Sequence, residues 1–499
     1  MNTQHNSNNN TIEKLITINK ELIAENENLR FELAQLKRMV FGAKSERFVP
    51  LSTEEQLRLK FFNSETEPAP DPDEIETQTI QYERKKTKKK KPARQPLPEH
   101  LERRDTIIEP EGDTTGLKPI GAEITEELEY EPAQLFVNRI IRNKYADPEN
   151  EDNGIMIAEL PSRPIDKGIA GPGLLSRVLV DKYLDHLPLY RQAKRFKREN
   201  IPLPRSTLGD WVRQCGNLLS PLYEKLKEKT LAADYLQVDE SGIRVLTHDE
   251  PKSSVKGCML VHHAPCEQVS FFAYKRTKEK VQLLEALHNY AGYLQVDGNV
   301  SYEEMGSRNG VTLLNCWAHA RRKFDQALDN DKDRASYVLG QIQQLYAIER
   351  HAREEDLDIV AILALRQTES VPILNALHDW LQIQYDAVLP KSVISKAIRY
   401  TLKRWDALTV YTTEARLLID NNPVENLIRP LALGRKNYLF AGSHEAAQRT
   451  AIFYSLFATC KLNNIEPFAW LRDVLVRIGD HPVNRIEELL PVHGYRLGV

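Results

Sequence analysis

Leucine recurs every seven residues at Leu15, Leu22, Leu29 and Leu36, and the positions three before them are Ile12, Asn19, Asn26 and Leu33. That spacing predicts a coiled-coil seam over 11–40, with leucines at d and asparagines at two of the a positions. A buried amide wants its counterpart opposite, so the asparagines favour a two-stranded register at some cost in stability. Glu25 with Arg30 and Glu32 with Lys37 fit the g-to-e charge pairing of a parallel homodimer. The other reading of the same pattern is a single amphipathic helix packed on its own chain.

Periodicity then lapses over 50–96. The chain is acidic and proline-containing from 63 to 80 and turns basic in RKKTKKKKPARQP, which holds Lys88, Lys89 and Lys90. A lysine run neutralises DNA phosphates without reading sequence, and a solvated tether has the same composition. Over 97–165, short alternating pieces such as QLFVNRIIRNKYA predict a small β-containing module. Over 170–222 the pattern changes to three helical stretches, LLSRVLVDKYLDHL, LYRQAKRFKREN and STLGDWVRQCGNLL, parted by Pro188 and IPLPR. Compact units of this form include helix-turn-helix DNA-binding modules. Arg191, Lys194, Arg195, Lys197 and Arg198 crowd the second helix. Arg205, Ser206 as a cap, and Arg213 belong to the third. A plain helical bundle with charged faces is the alternative.

Over 232–328, YLQVD, GIRVL, CMLVHHA and VSFFAYK read as strands, TKEKVQLLEALHNY as a helix, YLQVD again and VTLLNC as strands, and AHARRKFDQAL as a helix. That order predicts a mixed α/β sheet. From 329 to 413 helical patterns dominate, including 371–385 and 392–408, as an insertion before the sheet domain resumes over 414–460; a helical tail follows over 461–499. In LIDNNPVENLIRPLALGRKNYLFAGS, Asn421 or Asn422 can cap a helix opened by Pro423. Glu425 then falls in its first turn. Leu427, Leu431 and Leu433 are expected to face the core, with Arg429, Arg435 and Lys436 pointing elsewhere.

Composition changes this picture little. Across 499 residues, 41% are hydrophobic, 28% are charged and the net charge is −3, so any nucleic-acid argument rests on local basic clusters. Five cysteines without a CxxC pair suggest neither a disulfide framework nor a structural zinc site, and fit a reducing cytosol. MNTQHNSNNN is no export signal, and no apolar run approaches the ~18 residues of a membrane span. A cytoplasmic, nucleoid-associated protein is expected.

The repeated YLQVD carries the chemistry. Asp239 and Asp297 each close a strand that reads as buried, and such a carboxylate is costly unless it coordinates something. Each alone is an ordinary turn residue. Side by side they need a cation between them, and Glu425 supplies a third acid. Oxygen-only ligands suit Mg2+ or Mn2+ rather than zinc, in the arrangement used for phosphodiester cleavage and transfer. Cys258, His262, His263 and Cys266 are not expected to bind metal, because adjacent strand residues point to opposite faces.

The chain resembles the transposases of the insertion sequence 66 family. The resemblance is carried by LKRMVFGAKSERF, LPEHLERRD, ITEELEYEPAQLFVNRIIRNKYA, GPGLLSRVLVDKYLDHLPLYRQ, QVDES, CWAHARRKF, the 418–443 segment and PFAWLRDVLVRI, in that order. It implies a multidomain α/β plus α fold, with a ribonuclease H-like sheet interrupted by the helical insertion. The family's DDE triad falls on Asp239, Asp297 and Glu425. It also implies DNA partners, transposon ends and target, with accessory proteins of the same element left open. Cys316 and His319 resemble a CxxH signature of some DDE transposases, for which a structural role is expected, since two ligands close no zinc site. Family members carry a cysteine-rich segment where 109–151 lacks cysteine, so no zinc is expected. A dimeric DNA-binding regulator and a metal-dependent nuclease of the same fold are the competing readings.

Overall fold

The structure, a computed structural model, describes residues 135, 144–146, 155–157, 162–166, 168–201, 203–247 and 253–498. The expected zipper over 11–40 and the linker over 50–96, with Lys88, Lys89 and Lys90, lie outside the described residues, as does most of 97–165. The described residues fall into two compact units, one within 45–160 and a larger one within 161–499. In the smaller unit, β1 (Lys144–Ala146) pairs antiparallel with β2 (Ile155–Ile157).

In the larger unit, α1 (Pro172–Tyr183) opens on a proline and buries Leu175, Val178, Leu179 and Tyr183, one stripe of a 3.6-residue period. α2 (Leu189–Arg198) buries only Gln192 and Phe196, leaving Arg191, Lys194, Lys197 and Arg198 exposed. α3 (Arg205–Leu218) buries Leu208, Trp211, Val212 and Cys215. Ser206 does not cap it: Pro204 holds the cap position, and no side chain bonds the free N–H groups. α4 (Ser220–Leu231) completes the layer.

The sheet comprises β3 (Tyr235–Leu246), β4 (Ser254–Ala264), β5 (Val269–Lys275), β6 (Gly292–Val296) and β7 (Val311–Asn315), in the order β5-β4-β3-β6-β7. β3 is antiparallel to β4, as is β4 to β5, whereas β3, β6 and β7 run parallel. YLQVD and GIRVL, expected as two strands, form this single β3. The polar DES between them stays in the ladder because pairing with β4 is unbroken from Gln237↔His263 to Leu246↔Ser254. The helix expected after β5 is short, Lys280–Leu284, followed by a 3-10 turn at Glu285–Leu287.

α5 (Trp317–Ala327) follows β7, and α6 (Lys332–Glu354), α7 (Val371–Ala387) and α8 (Val393–Lys403) make up most of the helical stretch. α9 (Asn422–Tyr438), α10 (His444–Leu462) and α11 (Pro467–Arg477) close the unit. One core joins α1–α4, the sheet and α9–α11, and a second joins α5–α8 to Tyr235, Leu314, Leu417 and Ile419. α10 lies along the outer edge of the sheet. There Ser455 Oγ accepts the Phe272 N–H at 2.8 Å and Thr459 Oγ1 the Ser270 N–H at 3.3 Å, covering a strand edge that would otherwise invite another chain.

Candidate active site

Parallel pairing sets the first two acids. Gln237 lies opposite Gln295, and two residues on stand Asp239, on the same face of β3, and Asp297, just past the end of β6. β6 ends at Val296 while β3 continues, so Asp239 lies mid-strand where its parallel neighbour stops, not at a strand end as its sequence suggests.

The glutamines do the positioning, a role that sequence reading missed. Gln237 Nε2 donates to Gln295 Oε1 at 2.7 Å and to the Asp420 carbonyl at 3.1 Å, and Gln295 Nε2 donates to the Leu418 carbonyl at 2.8 Å. Tyr235 Oη also donates to Gln295 Oε1, at 2.5 Å. The segment leading into α9 is thereby tied to both acid-bearing strands. Their signal was in the repeat itself: a glutamine on a buried strand needs polar partners. Asn421 occupies the N-cap of α9, but its Nδ2 donates to the Val238 carbonyl at 3.2 Å instead of its side chain capping the helix. Glu425 sits in the first turn, where the helix dipole favours a carboxylate. The buried stripe of α9 is Val424, Ile428 and Leu431, with Leu427 partly buried against it. Leu433 is 51% exposed, contrary to expectation, because two residues beyond Leu431 lies on the opposite side of a helix.

Asp297 leads into a supported loop. Its Oδ1 accepts the Asn299 N–H at 2.8 Å, Tyr400 Oη donates to its carbonyl at 3.0 Å, and Arg404 Nη2 donates to the Gly298 carbonyl at 2.8 Å. Gly298 has φ +89°, and a Cβ there would meet Tyr400 Oη at 2.4 Å, so both conformation and space call for glycine. Across the sheet, Glu240 Oε1 accepts Asn299 Nδ2 at 2.8 Å, and the Glu240 N–H donates to Asp239 Oδ1 at 2.7 Å.

Burial, and then the charges of Asp297, Glu425 and Glu240, push the Asp239 carboxyl up to about 7, against the opposing bond from the Glu240 N–H. Glu425 Oε1 is buried without a hydrogen-bond partner and faces His319 Nδ1 at 3.8 Å. Burial lowers the His319 pKa, against the pull of Glu425 and Asp297. Cys316, buried at the start of α5, has its thiol pushed up to about 12 by burial. Mutually repelling carboxylates and an orphaned carboxylate oxygen fit a divalent-cation site.

Of the basic residues singled out in the sequence, Lys194, Lys197, Arg198, Arg205 and Lys436 are exposed. Arg191 is exposed too, over the Tyr190 ring, with Nη1 3.5 Å from Asn437 Oδ1. Arg213 is also exposed, in a surface pair with Asp210 at 2.5 Å, and two others are held within the fold: Arg195 by buried Asp181 and Arg435 by the Gly242 carbonyl. His262 and His263 do point to opposite faces: His262 stacks on Phe271, and His263 Nδ1 bonds the Val269 carbonyl at 3.1 Å.

Comparison with known proteins places four family models along the chain. "Transposase IS66 family" matches residues 167–449, "IS66 C-terminal element" 455–492, "Transposase C of IS166 homeodomain" 28–106 and "zinc-finger binding domain of transposase IS66" 110–146. The last weighs against the expectation of no zinc, although 110–146 contains neither cysteine nor histidine. The uncharacterized protein y4hP of Sinorhizobium fredii is 32% identical over 93% of this chain and 88% of its own length. The uncharacterized protein y4jD of the same organism is 33% identical over 93% and 94%. No solved structure matches. Among the described residues no helix is long and apolar enough to cross a membrane.

Proposed function

The chain belongs to the IS66 transposase family, and we propose that it cleaves the terminal inverted repeats of its insertion sequence and transfers the 3′-hydroxyls to target DNA. The observation that carries this reading is the register of β3 and β6, which supports Asp239 lying near Asp297, with the approach to α9 tied to both strands and Glu425 close enough to help raise the Asp239 pKa. The strand order, with β4 alone antiparallel between β5 and β3 and with β3, β6 and β7 parallel, supports a ribonuclease H-like core over 232–328 and 414–460 interrupted by the helical stretch 329–413.

Asp239, Asp297 and Glu425 would hold Mg2+ or Mn2+. Such ions, when bound, acidify a water or a DNA 3′-hydroxyl and stabilise the leaving oxygen of an in-line displacement. The protein's part is positional. Gln237 and Gln295 lock the approach to α9 against the strands, and Tyr400 and Arg404, from and just beyond α8, brace the loop after Asp297. Lys194, Lys197, Arg198, Arg205 and Lys436 offer exposed charge for DNA phosphates, with Lys88, Lys89 and Lys90 adding sequence-independent affinity. The heptads over 11–40 would join two copies.

The test is nicking and joining of a duplex carrying the element's end, with Mg2+ as the sole divalent ion. Asp239→Asn, Asp297→Asn and Glu425→Gln should each lower nicking by at least about a thousandfold, roughly 4 kcal/mol of transition-state stabilisation, while end binding persists. Normal nicking by Glu425→Gln overturns the reading. Binding without cleavage by the unmodified chain favours a regulator, and cleavage without joined product favours a nuclease.

A further inference from the structure

Cys316, His319 and Glu425 converge from two helices. One sulfur, one ring nitrogen and one carboxylate oxygen all lie within 4.8 Å of one another. Cys316 stands at the N-cap of α5, His319 lies within the first turn of that helix, and Glu425 comes from the first turn of α9. His319 Nδ1 and Glu425 Oε1 face each other at 3.8 Å, too far for a hydrogen bond. Both atoms are buried, and neither has a hydrogen-bond partner. The Cys316 sulfur, fully buried, accepts the Asn421 N–H at 3.2 Å, a contact that also suits a thiolate.

Tetrahedral zinc, with bonds of about 2.0–2.3 Å, sets neighbouring donors about 3.4–3.6 Å apart. A few tenths of an ångström of closure would bring the facing nitrogen and oxygen to that separation. The donor set is also discriminating: sulfur and imidazole are poor ligands for Mg2+ and good ones for zinc.

We propose that Cys316, His319 and Glu425 form a binding site for a borderline-soft divalent cation of the zinc class, with its fourth position open. Binding forms the metal–sulfur, metal–nitrogen and metal–oxygen bonds and releases the Cys316 thiol proton to solvent, with no change of oxidation state. The reading of the two-residue CxxH pattern as too small for zinc changes once the third ligand arrives from α9. One consequence rests on the function proposed above: a cation held here engages Glu425 and withdraws it from Asp239 and Asp297, so zinc should inhibit DNA nicking in the presence of excess Mg2+.

Co2+ serves as the optical probe, titrated into the metal-stripped full chain. The expected result is a near-ultraviolet thiolate-to-cobalt charge-transfer band that saturates at one equivalent and is displaced by Zn2+. Cys316→Ser should abolish the band, whereas Cys266→Ser, which alters the exposed cysteine, should retain it. Because Cys316 is buried and its replacement can impair folding, His319→Ala is the second variant; its side chain is already 20% exposed. It should weaken the Co2+ affinity by more than roughly tenfold, since losses of supporting groups around a ligand alone reach that size. No band in the folded wild-type chain, or a band unchanged in both Cys316→Ser and His319→Ala, overturns the site. A normal band together with nicking that zinc leaves untouched upholds the site and removes Glu425 from the catalytic role, so the two failures are distinguishable.

Discussion

His262 is an imidazole fully buried in the middle strand of an antiparallel triplet, stacked on Phe271 at 4.4 Å, and neither of its nitrogens has a hydrogen-bond partner. Burial holds its pKa down to about 3, and that of neighbouring His263 to about 4. In the unfolded chain both titrate near 6.5. The folded-state values lie lower, so between those limits the unfolded chain binds the extra protons. The resulting stability is fully present above about pH 6.5 and is lost as pH falls toward 4 and then 3. His262→Leu removes one of these groups together with its orphaned ring nitrogens. The variant should be at least as stable as wild type at pH 7.5, and between pH 7.5 and pH 5 it should lose about 2 kcal/mol less. Urea midpoints at the two pH values check this, and parallel losses in both proteins would contradict it.

Among the elements, the helices of 332–403 announced themselves by their apolar period, but what anchors them did not. Arg366, 2% exposed, donates to Glu349 at 2.8 and 2.7 Å and to the carbonyls of Tyr411, Glu414 and Leu417 at 2.6, 2.8 and 3.0 Å. One guanidinium thus clamps α6 to the segment that runs into the glutamine-tied approach to Glu425. Such a tie joins residues about fifty apart, and no local pattern encodes it. Arg366→Met should cost about 3–5 kcal/mol, because it leaves Glu349 buried and uncompensated. Adding Glu349→Leu should restore part of that loss, and a thermal melt of the single and double variants decides the matter. α9 likewise depends on more than its local sequence. Pro430 ordinarily ends a helix, yet α9 continues to Tyr438. Gly434 lets it lie close against α10, where a Cβ would stand 2.8 Å from Tyr454 Oη. Tertiary packing outweighs the local signal there.

At the scale of the whole molecule, the acids were legible because YLQVD repeats and because Pro423 marks a helix start near Glu425. Their arrangement was not, since it depends on the β3–β6 register and on hydrogen bonds spanning 183 and 123 residues. Bringing Asp239 within electrostatic reach of Asp297 and Glu425 draws on three distant segments and costs the metal-free fold. The Asp239 carboxyl is raised to about 7 by burial and by its acidic neighbours. Its unfolded value is near 3.9, so the folded chain binds the proton more tightly, and stability falls as pH rises from about 4 to about 7. At pH 8 that penalty is fully present, on the order of a few kcal/mol. In the presence of a chelator, Asp239→Asn should therefore melt higher than wild type at pH 8 and at nearly the same temperature at pH 4. Divalent ions reverse the order, because they stabilise only the chain that keeps its ligands, by an amount that grows with ion concentration over Kd. Added Mg2+ or Mn2+ should raise the wild-type Tm at pH 8 and leave that of Asp239→Asn almost unmoved. A higher Tm for wild type in chelator would mean that the carboxylates are already compensated within the fold, and would remove the electrostatic basis for a cation site among them.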